Sequence, residues 1–168
     1  MRQCVIAALL LVTTIPAFAW EYASTPDKMG RGDTRTAVTS SENQVSLKPP
    51  YAGAQRARLL VIDRGGKRTD VIFALEKGQI LCHSYSCDVS VRFDDQPSRA
   101  WGANKPSDGS SNLIFLDMEP IFVVQAIRAK KVLIEVTLYQ NGNQVFEFPV
   151  GPLEGKWIGG SEQVKKRN

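Results

Sequence analysis

The chain has 168 residues, 43% of them apolar, with 21 Lys and Arg against 17 Asp and Glu, a net charge of +4. That length suits one domain with a buried core and short ends. Arg2 and the tail Lys165-Lys166-Arg167 hold the whole excess, so the body from residue 20 to 164 is neutral. A neutral body argues against a nucleic-acid partner, because proteins that bind nucleic acid usually present a basic patch.

The first residues have the features of a secretory signal. Arg2 supplies a positive start, residues 5–12 are an unbroken apolar run, and Ala17-Phe18-Ala19 fits the small-x-small pattern before a cleavage site. The run is too short to span a bilayer as a permanent helix. We therefore predict a signal peptide at 1–19, cleaved after Ala19, and a periplasmic or secreted protein without an integral membrane span. An uncleaved anchor is the alternative.

The elements before the cysteines are mostly extended. Residues 20–42 are rich in Ser, Thr, Gly and Asp and predict an irregular N-terminal arm, in which Trp20 and Tyr22 could form a short strand. Residues 43–157 predict one β-rich domain. Within it, 43–48 is a short strand, 58–63 a central strand, 64–67 a turn and 70–75 a strand with one apolar face.

The elements after the cysteines add strands and one helix. Residues 87–93 alternate strictly between apolar and polar, 94–111 form a polar connection and 112–116 a short strand. Pro120 opens a helix near residues 120–131. Residues 132–140 and 144–150 form a hairpin around Asn141-Gly142, and 158–168 form a flexible basic tail. We predict a mainly β fold, an antiparallel β-sandwich or open barrel with this one helix.

The stretch GQILCHSYSCDV, residues 78–89, holds Cys82, Cys87 and the only histidine, His83. Strand parity places both thiols toward the core, and an even, close pair in an exported protein predicts a structural disulfide. A zinc site needs about four ligands, and this stretch offers three at most. A redox site would more naturally use C-x-x-C. A cysteine nucleophile with His83 as base would require a reducing compartment. We predict no catalytic residue, metal or cofactor.

Four other residues are candidates for binding. Trp101, in the polar connection, and Tyr85, between the cysteines, are aromatic side chains of the kind that anchor interfaces. Trp101 could equally close the end of the β domain. Asp94 and Asp95 are a carboxylate pair at a strand end, suited to acid–base or Ca²⁺ chemistry but more typical of a turn.

The second half of the chain contains a set of spaced motifs. They are Cys87-x-Val89-x-Val91-x-Phe93-Asp94-Asp95, Leu113-Ile114-Phe115, Phe122-x₄-Ile127-x-Ala129-Lys130-Lys131 and Glu135-x₃-Tyr139-x₂-Gly142-x₃-Phe146-x-Phe148-x-Val150. Together with an early Trp they give a cysteine pair, a strand ending in Arg/Phe-Asp, a helix and a final hairpin, and over roughly residues 58–157 this pattern resembles small exported bacterial and phage-associated proteins. The layout is similar to periplasmic accessory proteins of type VI secretion of the TagO/VasI type, and more loosely to invasion-associated locus B proteins. It implies a structural likeness and carries over no catalytic residue.

These observations favour an exported, non-enzymatic binding or accessory module, of a secretion-accessory or phage-exclusion type. Its expected partner is an envelope protein or a cell-wall component. One alternative is a periplasmic inhibitor of a lysozyme or protease, which requires a protruding loop. The other is a metal-dependent hydrolase, which requires Asp94, Asp95, Asp108 and His83 to converge in one pocket.

Overall fold

The computed structural model describes residues 19–84, 86–151 and 153–155, and in them it is mainly β. Nine strands form one antiparallel sheet in the order β1-β2-β5-β6-β9-β8-β7-β10-β11, and β3 pairs with β4 in a small second sheet. This confirms the predicted fold class. The elements are β1 (Glu21–Thr25), β2 (Thr34–Ser40), β3 (Val45–Leu47), β4 (Gly53–Gln55), β5 (Ala57–Arg64), β6 (Arg68–Leu75), β7 (Ser86–Phe93), β8 (Arg99–Asn104), β9 (Leu113–Leu116), α1 (Glu119–Arg128), β10 (Lys131–Leu138) and β11 (Gly142–Pro149).

The strands at the centre of the sheet bury one face each. In β5 and β6, Val61 lies opposite Val71 and Leu59 opposite Phe73, and all four side chains are buried. A slip of one residue would turn each buried set toward solvent, so this alternation determines the register.

The sheet curls until its last strand meets its beginning. Phe73 on β6 and Phe146 on β11 are five strands apart in the sheet order, yet their ring centroids are 5.4 Å apart. The backbone N–H of Glu42 donates to the Glu147 carbonyl at 2.8 Å, and the Asn43 side chain bonds both ways with β11. These bonds cover part of an edge that would otherwise be open. The sheet is therefore an open barrel with a bridged seam.

The expectation of an irregular arm at residues 20–42 is wrong, although the short strand suggested around Tyr22 is present within β1. This segment forms β1 and β2, and β2 pairs with β5 over seven residues, from Thr34↔Arg64 to Ser40↔Arg58. Its inward-facing residues Ala37 and Thr39 are small, so the strand produced no hydrophobic period in the sequence. Pairing with a central strand supplies the stability that its own apolar content does not.

The expectation that residues 94–111 are only a polar connection is also wrong in part. β8 lies inside it and joins β7 to β9. Its sequence is Arg-Ala-Trp-Gly-Ala-Asn, in which Trp101 and Ala103 face the core and the outward positions carry no apolar side chain larger than alanine. One tryptophan was too weak a signal for a strand.

The helix and the final hairpin are confirmed with shifted limits. α1 ends at Arg128, and Lys131 already begins β10. The hairpin turn spans residues 139–141, because Leu138 pairs directly with Gly142. Gln140 and Gly142 both take positive φ angles, 58° and 64°, which bring the chain round in three residues.

Some predictions lie outside the described residues. They are most of the signal peptide, which precedes residue 19, and the basic tail at 158–168. Over the ranges that the structure describes, we find no helix with the length and apolar character needed to cross a membrane.

Substitutions of Trp20 test whether its contact with Val150 holds the seam together. Trp20 is 4% exposed, and its indole Nε1 donates to the Val150 carbonyl at 3.0 Å. We expect Trp20→Ala to lower the free energy of unfolding by about 3–5 kcal/mol, as large-to-small core changes do. Trp20→Phe keeps most of the ring but leaves a buried carbonyl unpaired, for a loss of about 1–3 kcal/mol. Urea unfolding measures the free energy of unfolding of both variants. If both are as stable as wild type, the contact between Trp20 and Val150 does not hold the seam.

Candidate functional site

Cys82 and Cys87 form a disulfide, as the sequence predicts. Cys87 is buried on β7, whereas Cys82 lies outside any strand, after an isolated bridge between Ile80 and Leu138. β7 covers only the first half of β10, and the Leu81 N–H covers the second half by donating to the Thr137 carbonyl at 2.8 Å. The disulfide fastens the segment before it to the start of β7, so it links the two segments that bond to the same edge of β10. It is part of the architecture.

Removing this link is expected to cost modest stability. A loop this short gives about 2 kcal/mol by chain-entropy reasoning. The double variant Cys82→Ala/Cys87→Ala should lose that amount in urea unfolding, and wild type in reductant should match the variant. Two free thiols in mass spectrometry of the non-reduced protein would refute the link itself.

Asp94 is a structural carboxylate. It takes a left-handed φ of 46°, and its Oδ1 accepts the backbone N–H groups of Lys130 and Lys131, each at 2.9 Å. It thereby fixes the end of β7 to the junction between α1 and β10. Asp95 is exposed beside it on the same turn. The turn-forming interpretation of this pair is the one that the structure supports.

The four side chains of the hydrolase alternative do not converge. His83 precedes β7 and Asp94 follows it, and an eight-residue strand spans roughly 25 Å. Asp108 follows β8, whose last residue lies opposite Ser86, so it is on the side of His83. The backbone N–H of Ser110 donates to the Asp108 carboxylate and lowers its pKa. Within the described ranges, no three His, Cys, Asp or Glu side chains are grouped to bind a metal.

The expectation that Trp101 is an exposed binding anchor is wrong, and the alternative, that it closes the end of the β domain, is the one that the structure supports. Trp101 is 5% exposed and packs edge-on against Phe122 of α1, with ring centroids 6.0 Å apart. Its Nε1 donates to the Asp117 carbonyl at 2.6 Å. Trp101 therefore closes the core and supports Asp117 from beneath. Tyr85 lies outside the described residues.

A cleft of about 310 Å³ lies on the outer face of β9. β6 and β8 flank β9 in the sheet, and the loop after β8 forms one side of the cleft. Half of its lining comes from the connection that the sequence marked as polar. The lining residues are Arg68, Asn104, Lys105, Pro106, Ser107, Phe115, Asp117 and Glu119.

The Asp117 carboxylate is held in place in this cleft. A Cβ at Gly102 would lie 2.5 Å from Asp117 Oδ2, so only glycine leaves room for the carboxylate. Asn104 Nδ2 donates to Asp117 Oδ1 at 2.5 Å, and the Asp117 N–H donates to the Gly102 carbonyl. A glycine inside a strand often marks such a close approach, and this was the signal that sequence reasoning missed.

The cleft carries both signs of charge. Arg68 and Lys105 are cationic, while Asp117 and Glu119 are anionic. Lys105 is half-buried and has no hydrogen bond or ion pair with any residue that the structure describes. Phe115 is half-buried and adds an aromatic ring. Donors, acceptors and an aromatic surface therefore meet in one concavity.

Comparisons with protein-family models, curated proteins and solved structures give no match. The likeness to secretion accessory proteins stays a prediction from the sequence motifs.

The position of the Asp117 carboxylate against Gly102 can be tested by a double-mutant cycle. Gly102→Ala forces a methyl group onto the carboxylate, and we expect a loss of about 1–3 kcal/mol in the free energy of unfolding. In an Asp117→Ala background the atom nearest to the added methyl group is the residue 117 Cβ, 3.7 Å away. Gly102→Ala should therefore lower the free energy of unfolding much less in that background. Urea unfolding of the four proteins measures the coupling. Additive effects would show that the carboxylate does not occupy this place.

Proposed function

We propose that this protein is an exported, non-enzymatic binding module of the cell envelope, and that it holds its partner in the cleft over β9. The observation that carries the proposal is the Asp117 carboxylate, which lies at the surface of a concavity, is held by Asn104 and fits there because Gly102 has no side chain. A polar group held in place before binding loses little freedom when a partner arrives.

The cleft is favoured because it contains a cationic side chain that no other side chain engages among the described residues. Asp94 Oδ1 already accepts two backbone N–H groups, whereas the Lys105 ammonium has no partner among the described residues. Binding sites commonly combine apolar surface with a few convergent polar groups. Phe115 supplies the apolar part here. The mixed charge suits a partner that offers both donors and acceptors, such as an envelope protein loop or a cell-wall component.

The disulfide supports the location of this function. Such bonds persist in oxidising compartments and are rare where thiols are kept reduced. Together with the apolar run at residues 5–12 and the small residues before Trp20, Cys82–Cys87 favours export. A secretion-accessory or phage-exclusion role is the biological context that the motif resemblance suggests.

The experiment compares capture of envelope components by matched variants. Wild type, Asp117→Asn, Lys105→Gln and the control Asp108→Asn are immobilised and exposed to envelope extract, and recovered partners are then titrated singly. Asp108 is exposed, follows β8 and does not line the cleft. We expect the control to bind like wild type, and each cleft variant to bind about tenfold more weakly, since charge-assisted hydrogen bonds contribute about 1.5–3 kcal/mol.

One result would contradict the proposal. If Asp117→Asn and Lys105→Gln retain wild-type affinity for every recovered partner, the cleft is not the binding site.

A further inference from the structure

Two arginines face each other across the β5–β6 hairpin. Arg64 lies directly opposite Arg68 at the end of the two strands, and their side chains are 53% and 70% exposed. Like charges directly opposite each other destabilise a strand pair. Their juxtaposition therefore needs a compensating group.

That group is Asp70, which is almost fully buried at 2% side-chain exposure. Its Oδ2 accepts the Nε–H of Arg64 at 2.8 Å, and its Oδ1 accepts the Nε–H of Arg68 at 2.7 Å. Both oxygens are used, and one negative charge balances only one of the two positive charges. The three groups together keep a net charge of +1 in a fixed geometry.

The Nη groups of both arginines remain available. They donate no hydrogen bond to any residue that the structure describes, and the guanidinium groups are held by Nε alone. Arg31 shows the contrasting arrangement. Its Nε and Nη2 both bind Asp27, at 2.7 and 3.3 Å, and its charge is balanced one to one. The Arg31 guanidinium lowers the pKa of Asp27 through that hydrogen bond.

We propose that Arg64 and Arg68 form a binding site for a phosphate group. Guanidinium groups bind phosphate oxygens with two parallel hydrogen bonds, and two groups anchored on one carboxylate can converge on one anion. Lys67, in the turn between them, adds positive charge. Asp117 and Glu119 repel an anion from the cleft beyond Arg68, so the phosphate sits on the Arg64 side. This site goes beyond the proposed function, because it shares only Arg68 with the cleft.

The phosphate can be free or part of a larger envelope molecule, and the chemistry that the arginines recognise is the same. The first measurement uses inorganic phosphate and ¹⁵N-labelled protein at constant ionic strength. We expect saturable shifts of the Nε–Hε signals of Arg64 and Arg68, with the Arg31 signal unchanged. Small, linear shifts of equal size at all three arginines would overturn the site, because they indicate only nonspecific screening.

Conservative variants test the geometry and not only the charge. Arg64→Lys and Arg68→Lys keep the charge but lose the planar donor set, so each should weaken phosphate binding about tenfold, while Arg31→Lys should have no effect. Equal affinities in all four proteins would overturn the proposal. If a variant fails to fold, the wild-type titration alone decides.

A third experiment distinguishes a soluble phosphate from the phosphate of a lipid headgroup. Glycerol 3-phosphate and vesicles containing phosphatidylglycerol are compared, each with wild type and Arg64→Lys. Binding of both that weakens in the variant assigns a lipid headgroup, and binding of the soluble ester alone assigns a soluble phosphate. Binding to neither contradicts the site. Loss of phosphate binding with intact partner capture separates this inference from the proposed function.

Discussion

The contact between the two ends of the curled sheet is the constraint on which the molecule depends. Nine antiparallel strands leave two edges, and the interior becomes a core only if those edges approach each other. Trp20 holds the two ends together by donating its indole N–H to the Val150 carbonyl. Glu42 and Asn43 hold them together by hydrogen bonds to β11. Phe73 can then meet Phe146 across the interior. Without that seam, the phenylalanines of β11 would line an open sheet.

Closing the interior leaves the outer face to carry function. Each strand that turns Val, Leu or Phe inward turns its alternate residues outward, and these positions are free to be polar. β6, β9 and β8 place Arg68, Phe115 and Asn104 on one outer surface. The supports of that surface come from inside, since buried Trp101 bonds the Asp117 carbonyl. Trp101, for which the sequence left a binding role and a closing role open, closes the core and positions a residue suited to binding.

The limits of prediction follow from which residues carry each signal. β6 and β7 were predictable, because Val71 and Phe73, or Val89 and Val91, alternate strictly with polar neighbours. β2 and β8 were not, because their inward positions hold small residues and a single tryptophan, and pairing with neighbours makes them strands. The disulfide was predictable from the spacing of Cys82 and Cys87. The cleft was not, because Gly102 and Asp117 are fifteen residues apart and meet only through the β8–β9 pairing.

Three aspartates show how environment decides what a carboxylate can do. Asp94 accepts two backbone N–H groups and thereby serves the fold. Asp70 accepts two arginines and leaves one positive charge unbalanced. Asp117 lies against Gly102 at the surface of a cleft, and the Asn104 side-chain amide donates a hydrogen bond to it. A carboxylate that accepts backbone N–H groups joins parts of the fold, whereas one that fixes two cations places donors nearby. Function on this outer face therefore follows from the charge and hydrogen-bonding capacity that remain once the fold has used what it needs.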